Sequence, residues 1–374
     1  MSKMVGLSCA LLAAGLWAGC GGSGGDDDDD GGNTVVDAAL TGDGGTGVDG
    51  TVMVDASSGG PLTVSGFDTF SGTLGYHITC DPAGICYGHS TTVNQLAAGA
   101  TTTTIIGNPT SGLVSNSPSS ILRDGAGNLY TNVGCSGTPG VYKRPAGTTT
   151  WATLGTGLTG ANPTACNFDT LAIDTSGNLY VGFAILTGLS KLTGQTGAWT
   201  DLGTGANRAV RATATRGSDV YIGDSSGVKV LTGGAGAWTE LGTGNPGNVL
   251  HMRFDGAGNL YTVNSAGINL AGVYKLAAGT TTWVEMTNLD RFDVNSPRVS
   301  NIAFDAMNNG WMIARPTVNS GNNYSLMKLP AGATAWTAAL ALTQTVGDNC
   351  VALANDNNGH LIAQCSNMIL RSRP

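Results

Sequence analysis

The stretch Asp255-Gly-Ala-Gly-Asn-Leu-Tyr261 combines a tight turn with the start of a strand. Asp can hydrogen-bond to its own backbone two residues on, and Gly supplies positive φ, so these residues predict a hairpin turn. The alternating run Leu-His-Met-Arg-Phe at 250–254 leads into the turn. Together they predict two antiparallel strands joined by a short connection.

This unit recurs along the chain, which makes it a structural repeat. Close copies are Asp124-Gly-Ala-Gly-Asn-Leu-Tyr130 and Asp174-Thr-Ser-Gly-Asn-Leu-Tyr180, and a copy without the leading Asp is Thr215-Arg-Gly-Ser-Asp-Val-Tyr221. All seven copies, including three weaker ones, end at Tyr87, Tyr130, Tyr180, Tyr221, Tyr261, Trp311 and Ile362. Periods of about 40–50 residues rich in strands and turns are typical of propeller blades.

Each repeat reads as four strands, and the fourth carries a Trp in five repeats. These residues are Trp151, Trp199, Trp238, Trp283 and Trp336. The last repeat lacks such a strand, whereas segment 62–67 has strand character without a partner. The sequence therefore predicts an all-β, seven-bladed β-propeller, closed by an N-terminal strand that completes the last blade and removes the open sheet edges.

The repeat occupies residues 61–374, and two further segments precede it. Residues 1–20 have the basic start and short apolar core of a signal peptide. Leu16-Trp17-Ala18-Gly19-Cys20 resembles the lipobox of bacterial lipoproteins, with Trp17 where that pattern prefers Leu. The resemblance implies lipidation at Cys20 and an outer-membrane location, periplasmic or on the cell surface. The alternative is ordinary cleavage and free secretion.

Residues 21–60 are predicted to be a disordered Gly- and Asp-rich tether, because apolar residues are too sparse to form a core. The chain has 25 acidic and 17 basic residues, and nine of the acids lie in this tether. From residue 61 onward the charges balance, so nucleic acid is not an expected partner. The acidic run 26–30 is interpreted as solvated, with a calcium site as the alternative and no cofactor expected.

The cysteines are consistent with export. Cys9 and Cys20 belong to the leader, and six others remain. An even number in an exported chain predicts disulfides. Their places around the repeats predict the pairs Cys80–Cys86, Cys135–Cys166 and Cys350–Cys365. A metal site is the competing interpretation, but no Cys or His cluster has ligand spacing.

The mouth of the central channel is the default place for a binding site. Counting back from each repeat predicts a polar ring there, formed by His77, Ser120, Thr170, Arg211, His251 and Asn301, with Ala352 as the seventh member. The next position along each strand is apolar in every repeat. Ordinary turn chemistry and solvent-exposed strand ends also account for a polar ring.

Evidence for catalysis is sparse. His77, His251 and Arg211 are the candidates for acid–base chemistry. The only two glutamates, Glu240 and Glu285, follow the Trp of a fourth strand and should lie on the outer rim. We do not expect a Gly-x-Ser-x-Gly nucleophile elbow, and no His pair has metal-ligand spacing.

The Asp-x-x-Gly-Asn-Leu-Tyr units resemble the blades of bacterial propellers in the broad NHL-like and streptogramin-lyase-like class. This resemblance covers about residues 61–374 and concerns the fold. Lyases of that class use a His, Glu and metal arrangement near the channel, and gluconolactonase-like propellers use an acidic calcium site there. The Glu that both require has no counterpart at that place in this chain.

The preferred functional interpretation is a lipid-anchored, surface-displayed monomer that acts as a non-catalytic binding module. Its expected partner is a protein, a polysaccharide or a small polar ligand, and its lipid anchor contacts the membrane. The alternative is a lyase or hydrolase that acts at the channel mouth. A third possibility is an adhesive envelope protein, which a broad apolar patch would favour.

Overall fold

The computed structural model describes residues 62, 64–75, 77–113, 118–133, 140–158, 168–183, 188–203, 209–245, 247–264, 272–289, 301–314, 324–342, 350–365 and 367–373. Within them lie seven four-stranded antiparallel sheets, which are the seven predicted blades. The predicted leader, Cys20 and the whole N-terminal segment up to residue 61 lie outside the described residues.

The first three blades contain strands β2 to β13, in chain order within each sheet. Blade one consists of β2 (His77–Cys80), β3 (Cys86–His89), β4 (Val93–Leu96) and β5 (Thr103–Gly107). Blade two consists of β6 (Pro118–Arg123), β7 (Leu129–Val133), β8 (Gly140–Arg144) and β9 (Ala152–Leu154). Blade three consists of β10 (Phe168–Ile173), β11 (Leu179–Phe183), β12 (Leu189–Leu192) and β13 (Thr200–Asp201).

The next three blades follow the same order. Blade four consists of β14 (Ala212–Arg216), β15 (Asp219–Gly223), β16 (Val228–Leu231) and β17 (Thr239–Glu240). Blade five consists of β18 (Val249–Phe254), β19 (Leu260–Asn264), β20 (Gly272–Leu276) and β21 (Trp283–Glu285). Blade six consists of β22 (Ala303–Phe304), β23 (Gly310–Ala314), β24 (Ser325–Leu329) and β25 (Thr337–Ala341). The described part of the chain also contains three short 3-10 turns, at Pro109–Ser111, Thr193–Gln195 and Thr232–Gly234.

Blade seven joins the two ends of the propeller. It contains β26 (Cys350–Asn355), β27 (Leu361–Cys365) and β28 (Met368–Arg373), with β1 (Gly66–Ser71) added antiparallel to β28. Closure by an N-terminal strand is confirmed, although that strand begins at Gly66 rather than at Leu62. Leu62 instead belongs to the hydrophobic cluster that contains Leu342 and residues of blades six and seven.

The first strand of each blade is the innermost one, because it contacts the first strand of a neighbouring blade around the channel. We call the end of the ring that carries the first-to-second and third-to-fourth connections the turn side. The opposite end, which carries the second-to-third connections and the links between blades, is the loop side. The chain joins β1 on the turn side, since Gly66 pairs with Arg373 at the place where other blades have their third-to-fourth hairpin.

The Asp of each conserved turn holds the turn together. One carboxylate oxygen of Asp174 accepts the backbone N–H groups of Ser176 and Asn178 at 2.9 Å. The other accepts the Asn178 side chain at 2.7 Å and the Tyr180 hydroxyl at 2.8 Å. Asn178 in turn accepts the Gly194 amide, which ties the inner turn to the outer hairpin. The repeated motif is therefore a packing and hydrogen-bonding device.

Two of the three predicted disulfides are confirmed. Cys80–Cys86 and Cys350–Cys365 each link directly opposed residues of the first two strands of a blade. The first bond lies in blade one, and the second lies in blade seven, the blade that closes the ring. Cys135 and Cys166 lie outside the described residues.

Candidate functional site

The predicted polar ring occupies one level of the inner strands at the loop side. At this level each first-strand residue lies opposite a second-strand residue, and the observed pairs are His77–His89, Ser120–Asn132, Thr170–Gly182, Ala212–Gly223, His251–Val263 and Ala352–Gln364. The Gln364 side chain at this level points toward the next blade, because its amide oxygen accepts Leu74 N–H there at 2.7 Å. The second-strand partners belong to the ring as well, and the sequence reasoning did not include them.

Arg211 does not occupy the predicted ring position, so that assignment is wrong in register. Tyr221 pairs with Ala214, whereas the equivalent Tyr261 pairs with Arg253, which places Ala212 at the ring level in blade four. The cause is the lost leading Asp. Arg216 and Asp219 pair directly across a two-residue turn, which is one residue shorter than the Asp-type turn. Counting back from Tyr221 therefore overshoots by one residue.

Two ring hydroxyls are buried inside the blades. The Ser120 hydroxyl contacts Asn132 Oδ1 at 2.7 Å. Thr170 is 0% exposed, and its hydroxyl has no hydrogen-bond partner among the described residues. A Cβ on the opposing Gly182 would lie 2.6 Å from that hydroxyl, so glycine is needed there for space. Neither side chain is presented to a ligand in the channel.

His77 is also buried, and it stacks on His89. The ring centroids are 4.9 Å apart with an interplanar angle of 12°, and the residues are 6% and 3% exposed. Burial lowers the pKa of His77 well below its usual value, and His89 and His251 lower it further. A buried neutral imidazole of this kind is not placed to act as a catalytic base toward a ligand in the channel.

His251 and Asn301 are the half-exposed members of the ring. They line a small pocket of about 10 Å³ between blades five and six, with Arg253 and Tyr261. That volume accommodates about one water molecule. Asn301 also accepts the Leu353 backbone N–H at 2.7 Å, so it links blade six to blade seven. Met252, Val263 and Ile302 complete its lining, so this pocket is a small crevice between blades rather than a cavity for a substrate.

Among the described residues, one segment does have the spacing of a nucleophile elbow, contrary to the expectation from sequence. It is Gly223-Asp-Ser-Ser-Gly227, and it forms the loop-side connection between β15 and β16. Its Asp224 carboxylate accepts the Ser226 N–H at 2.6 Å and the Gly227 N–H at 3.2 Å. A nucleophile elbow joins a strand to a helix. This segment joins two antiparallel strands, so it acts as an ordinary hairpin turn.

The two glutamates and three of the lysines lie outside the ring, where their roles are structural. Glu240 lies in β17 and Glu285 in β21, both outermost strands, as the sequence predicts. Lys143, Lys191 and Lys275 lie over Tyr rings of the neighbouring strand at 5.4–5.6 Å. Burial and the adjacent Asp raise the pKa of those tyrosines above its usual value. Among the described residues no group of three or more His, Cys, Asp or Glu side chains could hold a metal ion.

None of the helices in the described part of the chain has the length and apolar character that a membrane crossing requires.

Neither protein-family models nor curated proteins match this sequence. Solved propeller structures do resemble it. YCF48 bound to D1 peptide aligns with a TM-score of 0.58 and 13% identity, over 85% of this chain and 99% of that one. A streptogramin B lyase aligns with a TM-score of 0.53 and 12% identity, over 82% and 97% of the two chains.

A GH74 xyloglucanase from Xanthomonas campestris also aligns, with a TM-score of 0.57 and 16% identity. The alignment covers 81% of this chain and 53% of the xyloglucanase, so this chain spans about half of that enzyme's length. At such low identities the likeness establishes the propeller fold and leaves the activity open, since propellers include both enzymes and binding proteins.

Proposed function

We propose that this protein is an exported propeller, anchored to the outer membrane through a lipid on Cys20, whose loop side binds a protein partner without catalysis. A tether of about 40 residues between the anchor and the propeller would hold the ring clear of the membrane. Since charges from residue 61 onward balance, recognition would depend on shape and hydrogen bonds more than on steering by charge.

The observation that carries this proposal is the difference in connection length between the two sides of the ring. Turn-side connections such as 124–128 and 255–259 are short and held by the Asp carboxylate. The links between blades on the loop side include 155–167 and 286–302, which are much longer. Binding residues concentrate in long connections that a rigid scaffold positions.

The place where the predicted tether joins the ring also favours the loop side as the binding face. Ser65 N–H donates to Arg373 O at 3.0 Å, and Gly66 pairs with Arg373, so the predicted tether would reach the ring at the turn side. A partner that approaches from the loop side would then meet neither the tether nor the membrane. The burial of His77 and the placement of both glutamates on outermost strands favour binding over the lyase or hydrolase alternative.

Site-specific photo-crosslinking in the intact cell envelope tests the proposal. One full-length variant carries the crosslinker at Thr91, an exposed loop-side residue two positions after His89. The matched variant carries it at Thr149, an exposed threonine of a turn-side hairpin. We expect one discrete, protease-sensitive adduct at Thr91 and none at Thr149. An adduct only at Thr149, or a protease-resistant polysaccharide adduct, would contradict the proposal.

The anchor is tested separately by metabolic labelling with a radioactive fatty acid. We expect label on the full-length protein and none on a Cys20→Ser variant, which should also leave the membrane fraction. Equal labelling of the two proteins would refute lipidation at Cys20.

A further inference from the structure

The sequence contains two Asn-Gly pairs, Asn309-Gly310 and Asn358-Gly359. In such a pair the backbone nitrogen of the glycine can attack the side-chain amide carbon of the asparagine, because no Cβ on the following residue obstructs the approach. The reaction is favoured where the asparagine side chain can turn and the glycine N–H is not held elsewhere. Both pairs lie where the first strand of a blade turns into the second, in blades six and seven, so the fold itself provides a comparison.

The pair in blade six is enclosed. Asn309 is 8% exposed, and its side-chain nitrogen donates to Asp305 Oδ1 at 3.2 Å and to Asp305 Oδ2 at 2.9 Å. Its side-chain oxygen accepts the Ala331 N–H of the outer hairpin at 3.1 Å. Gly310 is the first residue of β23 and pairs with Phe304. A side-chain amide held at both of its polar atoms has little freedom to turn toward the following nitrogen, so this pair should be stable.

The pair in blade seven is more exposed and lies in a less constrained turn. Asn358 is exposed and Gly359 is half-buried. In the five other Asp-type turns, the residue at the Gly359 position donates its backbone N–H to the carbonyl oxygen of the leading Asp at 2.9–3.0 Å. The described part of the chain contains no such bond from Gly359 to Asp356. The attacking nitrogen of this pair is therefore not engaged as its counterparts are.

A second bond of the regular turn is also missing in blade seven. In blades two, three, five and six an Asn accepts a backbone N–H from the outer hairpin, as Asn178 does from Gly194 at 3.0 Å. Blade seven has His360 at this position, and its ring contacts Asp356 instead. The outer strands β28 and β1 are not joined by a hairpin, since they come from opposite ends of the propeller. The turn 356–360 therefore lacks two of the bonds that hold its counterparts.

The same turn contacts blade one across the ring closure. Asn357 donates to Asp81 O at 3.1 Å. The side-chain nitrogen of Asn358 lies 3.4 Å from Ala83 O and packs against Gly84, where an added Cβ would overlap it. A change in the Asn358 side chain, or in the backbone that follows it, would therefore act directly on the contact between blades seven and one.

We propose that Asn358-Gly359 is a site of spontaneous modification, at which Asn358 converts to aspartate and isoaspartate and thereby loosens the turn-side contact between blades seven and one. The Gly359 nitrogen forms a bond to Asn358 Cγ and loses its proton, and the side-chain nitrogen leaves as ammonia. Water then opens the cyclic imide. Attack at the side-chain carbonyl gives aspartate, and attack at the backbone carbonyl gives isoaspartate, whose main chain is longer by a methylene group. Water is the sole co-reactant.

Both products place a carboxylate where the Asn358 amide was. The carboxylate cannot donate to Ala83 O, so that contact is lost, and it adds a like charge to the turn that already holds the Asp356 carboxylate. Isoaspartate also lengthens the backbone directly after Asn357, the residue that bonds to blade one. Because the reaction needs only water, the modified fraction increases with the time since synthesis.

Peptide mapping by mass spectrometry, after incubation of the folded full-length protein in mildly alkaline buffer, tests the chemistry. We expect aspartate and isoaspartate at position 358 to accumulate at least about tenfold faster than at position 309, because the buried pair must first open locally. Equal rates at the two positions would overturn the proposal.

Gly359→Asn is the matched variant for the same measurement. It copies blade six, where Asn308 occupies the same place with a φ of 61°, and a Cβ at position 359 would meet nothing within 4 Å. We expect the reaction at Asn358 to slow by at least about tenfold, since a side chain now obstructs the attacking nitrogen. An unchanged rate in this variant would contradict attack by the nitrogen of residue 359.

Hydrogen exchange tests the consequence for the ring. The modified form carries an additional negative charge, so ion exchange separates it from the unmodified form. Amides of the blade-one turn 81–85, among them the Gly84 N–H that donates to Asp81 O, should exchange at least about threefold faster in the modified form. The turn 255–259 of blade five serves as the internal reference and should not change. Equal exchange at 81–85 in the two forms would refute a loosened closure.

Discussion

Four seams between successive blades share one arrangement, and the seams at the ring closure differ from it. Between blades one and five the outer strands are joined by a buried or half-buried Trp, whose indole N–H donates to a carbonyl oxygen of the preceding blade. The four bonds are Trp151 to Ile106, Trp199 to Leu154, Trp238 to Leu202 and Trp283 to Leu241, at 2.7–3.2 Å. We call each of these four tryptophan contacts a latch. Each latch combines a large apolar surface with one directed hydrogen bond.

The seams on both sides of blade seven lack this latch. By strand register, the Trp position is occupied by Phe67 in β1 and by Thr103 in β5. At the closure, side-chain amides and one guanidinium act instead. Gln364 accepts Leu74 and Gly75 N–H, Asn357 donates to Asp81 O at 3.1 Å, and Arg371 donates to Ala100 O at 2.9 Å.

The two kinds of contact between blades meet different requirements for alignment. Successive blades along the chain are held near each other covalently, so an apolar contact with one directed bond aligns them. Blade seven must bring together residues about 300 positions apart, which costs more chain entropy. Several hydrogen bonds and two disulfides are concentrated in blades one and seven, where register must be specified most strictly.

Removal of the closing strand is expected to have the largest effect. A variant that begins at residue 72 lacks β1, which exposes the edge of β28 and leaves blade seven with three strands. We expect loss of the cooperative unfolding transition and association through the free edge. A variant that begins at residue 62 is the control and should match the full-length protein in thermal unfolding. A monomeric, cooperatively folded product from the shorter variant would show that closure by β1 is dispensable.

The two disulfides should differ in their contribution to stability. Cys350–Cys365 closes a loop with a sequence separation of 15, whereas Cys80–Cys86 has a separation of 6. Loop-closure entropy predicts a loss of about 3 kcal/mol for the double Cys→Ala variant at 350 and 365, and about 2 kcal/mol at 80 and 86. Denaturant unfolding of both variants measures the difference. The reverse order would mean that chain entropy is not the main contribution.

Gln364→Ala probes the closure seam at a single buried side chain. Without the amide oxygen, the Leu74 and Gly75 N–H groups lose their acceptor in a buried position, so we expect a loss of about 2–3 kcal/mol. The matched control is Gln95→Ala, at a half-buried residue of the third strand of blade one, and it should cost less than about 1 kcal/mol. Urea denaturation compares the two variants. Equal losses would indicate that the Gln364 amide does not stabilise the contact between blades seven and one.

We expect the smallest effect from a comparison of two tryptophans at the latch position. Trp283 donates to Leu241 O, whereas Trp336 is equally buried and its indole nitrogen has no hydrogen-bond partner among the described residues. Replacement by Phe removes a similar volume from both sites, so Trp283→Phe should cost about 1 kcal/mol more than Trp336→Phe. Thermal unfolding resolves a difference of that size. Equal costs would show that only the apolar area of the indole matters.

Much of the site was predictable where the repeat is regular. The positions of His77, Ser120, Thr170, His251 and Asn301 at one level follow from counting along identical turns. The prediction failed at Arg211, because the missing Asp in blade four shortens the turn and shifts the register by one residue. The stack of His77 on His89 was missed, although a signal was present. The pairing of Cys80 with Cys86 sets the strand register that brings positions 77 and 89 opposite each other.

The sequence by itself determined the seven blades, the closing strand and two disulfides, because each depends on short-range rules of turn chemistry, strand alternation and spacing. Only the tertiary structure decided which polar groups are exposed at the channel mouth. Burial depends on the face that a strand turns toward the next blade, and that is set by packing between residues far apart in the chain. For this reason His77 and Thr170 are enclosed within the blades, whereas His251 and Asn301 at the same level remain half-exposed.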